Sequence, residues 1–368
     1  MTNEVPFVDL RAQQAEVLDV IRPQIDRILQ TAAFMGGPPV DDFERAYAEF
    51  VGVRHCIGVA NGTDALELAL RAVGVAGGGE VLVPANTFIA TAEAVVRAGG
   101  RVVLVDVDDD HLLMAPDAVK AAVGAQTRAV VPVHLFGQAA PVDEILPWAE
   151  SVGAALIEDA AQSQGATRHG VGAGALGLVA GTSFYPGKNL GAAGDAGAVL
   201  TDDDEIAHHV RSLANHGSPR KYEHDVIGFN SRLDAIQAVV LRAKLDRLAA
   251  WNAARAQAAA RYEEMLAGTD GVRTPQVLPG NTHVWHLYVI RVSDRDRVLA
   301  ALQAAGIGAG LHYPVPVHLT PAFRSSGYGP GDFPVAEQAA QEILSLPMYP
   351  HLTPADQERV VEVLRGAL

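Results

Sequence analysis

The sequence predicts an α/β fold, a mostly parallel seven-stranded sheet flanked by helices and followed by a smaller C-terminal α+β domain. Three observations carry this reading. Short continuous apolar runs alternate with helix-periodic stretches from residue 56 to residue 159. Two further apolar runs enclose a glycine-rich loop around one lysine, Lys188. Beyond a Gly/Pro-rich segment at 271–280 the alternation gives way to a different pattern.

Taken in order, residues 10–30 read as one helix, with Val17, Val20, Ile21, Ile25, Ile28 and Leu29 at helical spacing and a kink or break at Pro23. Residues 40–51 read as a second helix. Strands are then expected at 56–60, 80–84, 101–106, 128–133 and 154–159, with helices at 63–73, 88–98, 116–123 and 142–152 between and around them. Such βαβ units imply right-handed crossovers and a parallel sheet covered on both faces. Strands at 179–184 and 197–200 flank the lysine loop. A helix at 203–213 precedes a long alanine-rich helix over 232–266 that leads out of the large domain. The second domain reads as a strand at 283–292, a helix at 294–305, a strand at 308–312 and a helix at 335–344. The expected division is 1–250 and 251–368.

A chain of 368 residues suits about two domains. Its 49% hydrophobic and 19% charged residues place it among globular proteins rather than disordered ones. A net charge of −15 argues against a nucleic-acid backbone as partner. The single cysteine, Cys56, excludes an internal disulfide framework and suits a reducing, cytoplasmic setting. The first residues show neither the basic nor the apolar region of a signal peptide, and no apolar run reaches the length of a membrane span.

Lys188 has small residues around it and no charged neighbour in sequence until Asp195. A poorly solvated amine has a lowered pKa and attacks carbonyls, which is the setting of a Schiff-base lysine. A phosphate-binding P-loop is the nearest rival. It fails because Gly181 and Gly187 enclose five residues instead of four, and because Asn189 stands where a magnesium-binding hydroxyl is required.

Other candidates fall at the expected carboxyl ends of strands, where open parallel sheets bind ligands. Asn61-Gly62-Thr63-Asp64 offers free backbone N–H groups at a helix start, suited to a phosphate or to an ordinary N-cap. Either Glu158 or Asp159 must face the site, since side chains alternate along a strand, and a carboxylate there suits a cation such as a pyridinium nitrogen or caps the next helix. Phe88 either stacks on a flat ring or belongs to the core, and His134 is similarly open. Ser183 could offer a hydroxyl to a phosphate. His216, Arg220, Lys221 and His224 form a small basic group that is either a solvated loop or an anion contact. His312-Tyr313 and His318 share a proline-stiffened segment without metal-ligand spacing. A phosphate cradle, a strand-end aspartate and a glycine-flanked lysine, in that order on an α/β sheet, describe a site for pyridoxal 5'-phosphate.

With these motifs in place, the chain resembles the DegT/StrS-type sugar aminotransferases, which have the aspartate-aminotransferase fold of pyridoxal-phosphate enzymes (fold type I). The resemblance runs through Val5-Pro-Phe-Val-Asp-Leu, Gly58-Val-Ala-Asn-Gly-Thr-Asp-Ala-Leu, Pro84-Ala-Asn-Thr-Phe-Ile-Ala-Thr91, Pro132-Val-His-Leu-Phe-Gly, Glu158-Asp-Ala-Ala-Gln162, Ser183-Phe-Tyr-Pro-Gly-Lys-Asn-Leu-Gly191, Gly228-Phe-Asn-Ser-Arg-Leu-Asp234 and His312-Tyr-Pro-Val-Pro-Val-His-Leu319. It implies that Lys188 forms the Schiff base and carries the proton, that Asp159 pairs with the pyridinium nitrogen, that Gln162 bonds near the ring hydroxyl and that Phe88 covers one ring face. Gly62, Thr63 and Ser183 would bind the phosphate, with Asn230 of the second subunit of a homodimer. Tyr185, His312 and Tyr313 would line the sugar pocket, with His318 in the same segment, while Arg220 and Lys221 of the second subunit would meet the nucleotide diphosphate. The loop Gly194-Asp-Ala-Gly197 is similar to that of members acting at the third sugar carbon, with Ala196 in place of the usual glycine. The resemblance therefore implies amination of a nucleotide-linked 3-keto-6-deoxyhexose, on dTDP, by L-glutamate. The same chemistry on a 4-keto sugar or a ketocyclitol is the alternative, and a non-enzymatic cofactor-binding protein a remoter one.

Overall fold

The computed structural model describes residues 4–220 and 222–368. Seven strands form its main sheet: β1 (His55–Val59), β2 (Glu80–Pro84), β3 (Arg101–Val105), β4 (Thr127–Val130), β5 (Ala155–Asp159), β6 (Val179–Ser183) and β7 (Gly197–Thr201). Their order is β1-β7-β6-β5-β4-β2-β3. Only β7 runs against its two neighbours, and the other pairings are parallel. The expected seven-stranded, mostly parallel sheet is therefore present.

Side-chain alternation divides the core. Val81 and Val83 of β2 face one side, packing with Leu66 and Ala69 of helix α4 (Gly62–Ala72) and Val95 of helix α5 (Ile89–Arg97). Leu82, between them in sequence, faces the other side with Val130, Leu156 and Ile145. Both faces being covered explains why these strands read as unbroken apolar runs. At the β1–β7 edge, Phe43 and Tyr47 of helix α3 (Pro38–Val51) pack edge-on against Phe184. Ala196 lies in this cluster, 1% exposed, so its methyl group is directed into the core.

A second core gathers Tyr262, Tyr288, Ile290, Leu302, Leu344 and Val360. Its antiparallel sheet consists of Val272–Arg273, Tyr288–Val292 and Ile343–Leu346. The helix Ala235–Leu266 runs without a break from the first core into the second, through the expected boundary at 250. No described helix is long and apolar enough to cross a membrane.

Several expected boundaries differ. The first helix breaks at Glu16 and Val17, and Pro23 sits inside Leu18–Thr31, exposed to solvent where a lost backbone bond costs least. The strand expected at 283–292 begins only at Tyr288, because Val284 N–H and Leu287 N–H donate to the carbonyls of Gly137 and Phe136 in the large domain. The strand expected at 308–312 reduces to one bridge between Gly310 and Ser345. The helix expected to reach Leu344 ends at Glu342, where Ile343–Leu346 enters the small sheet.

Where β7 begins, Gly197 lies against the turn that leaves β1. A Cβ there would stand 2.4 Å from the backbone carbonyl atoms of Asn61, which have no room to yield. Gly197→Ala should therefore lower stability by about 1–3 kcal/mol and displace the β1–α4 turn, weakening pyridoxal-phosphate binding at least tenfold. Guanidinium unfolding and a cofactor titration of the variant measure the two effects.

Candidate active site

A cavity of about 790 Å³ opens at the carboxyl ends of the parallel strands, a volume suited to a cofactor and a small substrate together. The β1–α4 turn contributes Asn61, Gly62 and Thr63; the approach to α5 contributes Thr87 and Phe88; the end of β5 and the loop after it contribute Asp159 and Gln162; and the end of β6 and the loop after it contribute Ser183, Tyr185 and Lys188. Phe7, His286, His312 and Tyr313 also line it.

Lys188 lines this cavity and is half-buried. Its loop is pinned by a bond from its own N–H to the Tyr185 carbonyl, 2.8 Å. The next residue, Asn189, is 1% exposed and turned inward, donating to Val284 O and Asn252 Oδ1, each at 2.9 Å. Burial pushes the Lys188 amine down to about 8, and the Asp159 carboxylate offsets part of that fall. Burial likewise raises the Asp159 carboxyl above the usual range, against the bonds it accepts from Thr91 and Ala161 and the charge of Lys188. Thr91 Oγ1 donates to Asp159 Oδ2 at 2.7 Å and the Ala161 N–H to Oδ1 at 3.1 Å.

Alternation along β5 lets only one of its two carboxylates face the cavity. Asp159 does, whereas Glu158 is completely buried behind the sheet. Glu158 accepts from the N–H groups of Gly174, Leu176 and Gly177 and from His134 Nε2, 2.7 Å away. His134 Nδ1 accepts the Ala140 N–H, so the Nε2 proton is the one donated to Glu158. His134 is thus a brace for the end of β5.

At the start of α4, Asn61 Oδ1 accepts the Asp64 N–H at 2.8 Å, and Asn61 O accepts that of Ala65. The earlier N–H groups, of Gly62 and Thr63, remain for a ligand at the positive end of the helix. Gly62 is required by close approach: a Cβ there would lie 2.6 Å from Ser183 Cβ. Across the cavity Phe88, 51% exposed, presents its ring 5.3 Å from that of Tyr313. Gln162 Oε1 accepts the Phe136 N–H, and its Nε2 donates to the Tyr313 hydroxyl at 3.0 Å. His312 bonds Ser345 Oγ through Nδ1 at 2.9 Å and stacks on Phe7.

These residues fit pyridoxal 5'-phosphate. Among the described residues no cationic side chain forms an ion pair with the raised, buried Asp159, as suits a seat for a pyridinium N–H. The depressed amine suits imine formation, the N–H groups of Gly62 and Thr63 beside Ser183 suit a phosphate, and Phe88 offers a flat apolar wall.

Other expected residues lie elsewhere. His318 is a correction: it is buried away from the cavity, with Nε2 on Glu337 Oε1 at 3.0 Å and its ring edge-on to Phe333. Its neighbour in the motif, Val317, donates its N–H to Ala85 O and turns the segment into the core. Asn230 and Arg220 are exposed and outside this cavity, and Lys221 lies outside the described residues. Phe229 and Ser231 face inward on either side of Asn230: Arg71 stands over the Phe229 ring, and Ser231 Oγ donates to Asp64. Sequence reasoning missed Thr91, Phe7 and His286 as cavity residues. Thr91 and Phe7 lie inside motifs already singled out, but only the fold shows that their side chains turn to the site.

This fold and this constellation define a pyridoxal-phosphate-dependent aminotransferase. The chain belongs to the DegT/DnrJ/EryC1/StrS aminotransferase family, which it matches over residues 18–365. It is 43% identical over 364 residues to a dTDP-3-amino-3,4,6-trideoxy-alpha-D-glucose transaminase of Streptomyces venezuelae, covering 99% of this chain and 96% of that one. It is 45% identical to a UDP-N-acetyl-3-dehydro-alpha-D-glucosamine 3-aminotransferase of Acidithiobacillus ferrooxidans, covering 99% and 98%. Among solved structures, S. venezuelae DesV in complex with a ketimine intermediate superposes with a TM-score of 0.96, at 43% identity and over 99% and 98% of the two chains.

The Lys188 environment sets a pH dependence. In the cofactor-free chain, capture of pyridoxal phosphate should speed up as the amine loses its proton, with a midpoint at about 8 instead of the roughly 10.4 of a free lysine. Asp159→Asn removes the charge that favours the ammonium, so its midpoint should fall below the parent's. Stopped-flow absorbance between pH 6 and 10 reads both.

Proposed function

We propose that this chain transfers the amino group of L-glutamate to carbon 3 of a 3-keto-6-deoxyhexose carried on dTDP. The observation that carries the reading is a single cavity lined by Lys188 and Asp159 together with His312, Tyr313 and Tyr185. Relatives named for amination at carbon 3, at 43% and 45% identity, support the position. They differ in the nucleotide, so a UDP-linked 3-keto sugar is the second reading.

When bound, pyridoxal phosphate supplies an electron sink for the carbon that gains or loses the amino group. Gly62, Thr63 and Ser183 hold the phosphate, and Asp159 holds a proton on the ring nitrogen. Lys188 Nζ, at a pKa near that of the medium, takes the proton from the donor's amine-bearing carbon and returns it later. Phe88 and Tyr313 cover the site and exclude water. Thr91 fixes the carboxylate that Lys188 and the ring both depend on.

Among the described residues, Arg97 is the only arginine lining the cavity, and it is tied to Glu67 and Asp64. The charge needed for a nucleotide diphosphate is therefore assigned to Arg220 and Lys221 of a second copy. Asn230 of that copy completes the phosphate site. The working unit in this reading is a cytoplasmic homodimer with shared sites.

Added L-glutamate should bleach the visible band of the loaded protein. Turnover should then appear with a dTDP-linked 3-keto sugar and not with a matched 4-keto sugar or an inosose; preference for the 4-keto compound would overturn the positional assignment. A UDP-linked 3-keto sugar tests the second reading in the same assay. Lys188→Ala should lower turnover by more than about 10⁴-fold with the fold intact by circular dichroism.

A further inference from the structure

The helix Ala235–Leu266 carries Gln237, Lys244 and Asn252, each separated from the next by about two turns and so placed on one face. All of them bond the loop that follows β6 and bears Lys188. Gln237 Oε1 accepts the Ala193 N–H at 2.8 Å. Lys244 Nζ donates to the Gly191 carbonyl at 2.8 Å. Asn252 Oδ1 accepts the Asn189 side-chain N–H at 2.9 Å. Along the helix toward its C-terminus, the contacts thus step back along the loop from Ala193 through Gly191 to Asn189, beside Lys188. Lys244 stands out among them, because it is 6% exposed and, among the described residues, no carboxylate pairs with it. Burial pushes its amine down to about 8. Its protonated and neutral forms both keep an N–H for the Gly191 carbonyl, so the contact persists across that pKa.

We propose that Lys244 is a positioning residue for Lys188: a buried donor that ties the Gly191 end of the lysine loop to the helix and so presents the Lys188 side chain to the cavity. This rests on the reading of Lys188 as the imine-forming lysine. The other end of the loop is already tied, since the Lys188 N–H bonds Tyr185 O and the Ala192 N–H bonds Phe184 O, each at 2.8 Å. Gly191 is also pressed against the start of the loop, where a Cβ would collide with the Pro186 carbonyl. Its own carbonyl is buried with the residue. Without the Lys244 donor that acceptor is left unpaired, at a cost the loop relieves by turning, and such a turn displaces the nearby lysine. Asn252 extends the tie toward the phosphate cradle. Its nitrogen donates to Gln164 O at 2.9 Å, and Gln164 Nε2 donates to Ser183 O at 2.8 Å.

The test compares the cofactor-free full chain with Lys244→Met, which matches the lysine in length and lacks the donor. One measurement is the rate of pyridoxal phosphate capture against pH, by stopped-flow absorbance. The other is the Kd of 4'-deoxypyridoxine 5'-phosphate, which has no aldehyde and cannot react with a lysine. Capture joins Lys188 Nζ to the aldehyde carbon and releases the aldehyde oxygen as water, so its rate reads where the amine stands. The analogue's affinity reads the phosphate cradle and the ring seat. In Lys244→Met the plateau of the capture rate should fall by about tenfold or more, with the pH midpoint unmoved and the analogue's Kd within about twofold of the parent's. A parent-like plateau removes the role. An equal loss of analogue binding makes Lys244 part of the general packing, and a moved midpoint with an unchanged plateau makes it a charge acting on Lys188; each of these overturns the proposal. Lys244→Ala, where water can enter to meet the Gly191 carbonyl, decides the same comparison if Met does not fold. A parent chain that binds the analogue but captures no cofactor at any pH removes the reading of Lys188 itself, and the role of Lys244 with it.

Discussion

The site depends on keeping an amine and a carboxylate in one buried cavity. Burial penalises the charged form of each, pushing Lys188 to about 8 and Asp159 upward, and their mutual attraction offsets only part of that cost. Among the described residues, neither side chain is withdrawn into an ion pair elsewhere. Thr91 and the Ala161 N–H hold Asp159, and the inward turn of Asn189 holds the lysine loop. The result is an electrostatic arrangement suited to a ring that bears a carbonyl, a basic nitrogen and a phosphate. Ordinary surface lysines and aspartates, free to choose water, could not be held in this way.

The fold behind this arrangement was largely legible in the sequence. All seven strands of the main sheet lie within a residue or two of their expected positions, except that the fourth ends earlier. The reason is physical: a strand buried on both faces is an unbroken apolar run, and the turn residues around it punctuate the pattern. The second core was less legible. Residues 283–287 have strand-like composition, yet their backbone bonds go to Gly137 and Phe136, partners nearly 150 residues away that no local pattern reveals. The run Ile343–Leu346 follows a helix directly, and the apolar periodicity carried the expected helix too far.

The site shows the same division. Lys188, Asp159, Gly62, Thr63, Ser183, Phe88 and Gln162 all line one cavity, since each ends or follows a strand whose position was readable. Alternation limited the choice between Glu158 and Asp159, but the deciding fact is three-dimensional: three backbone N–H groups and His134 are gathered behind the sheet to satisfy Glu158. His318 shows the opposite failure. Its motif placed it beside His312, while its buried bond to Glu337 draws it into the core. Phe7, near the beginning of the sequence, is held at the cavity by contacts distant in sequence: Val5 is bridged to Ile307, and Phe7 stacks on His312.

The helix Ala235–Leu266 has a consequence for exchanging parts between relatives. Its first half contributes Leu241, Leu245 and Leu248 to one core, and its second half contributes Ala258, Ala259 and Tyr262 to the other. A chimaera joined near residue 250 would splice two unrelated half-helices and leave each core facing a foreign surface. Crossovers placed before Ala235 or after Leu266 carry the whole strut with one parent, so only one of the two cores has to adapt to a foreign face.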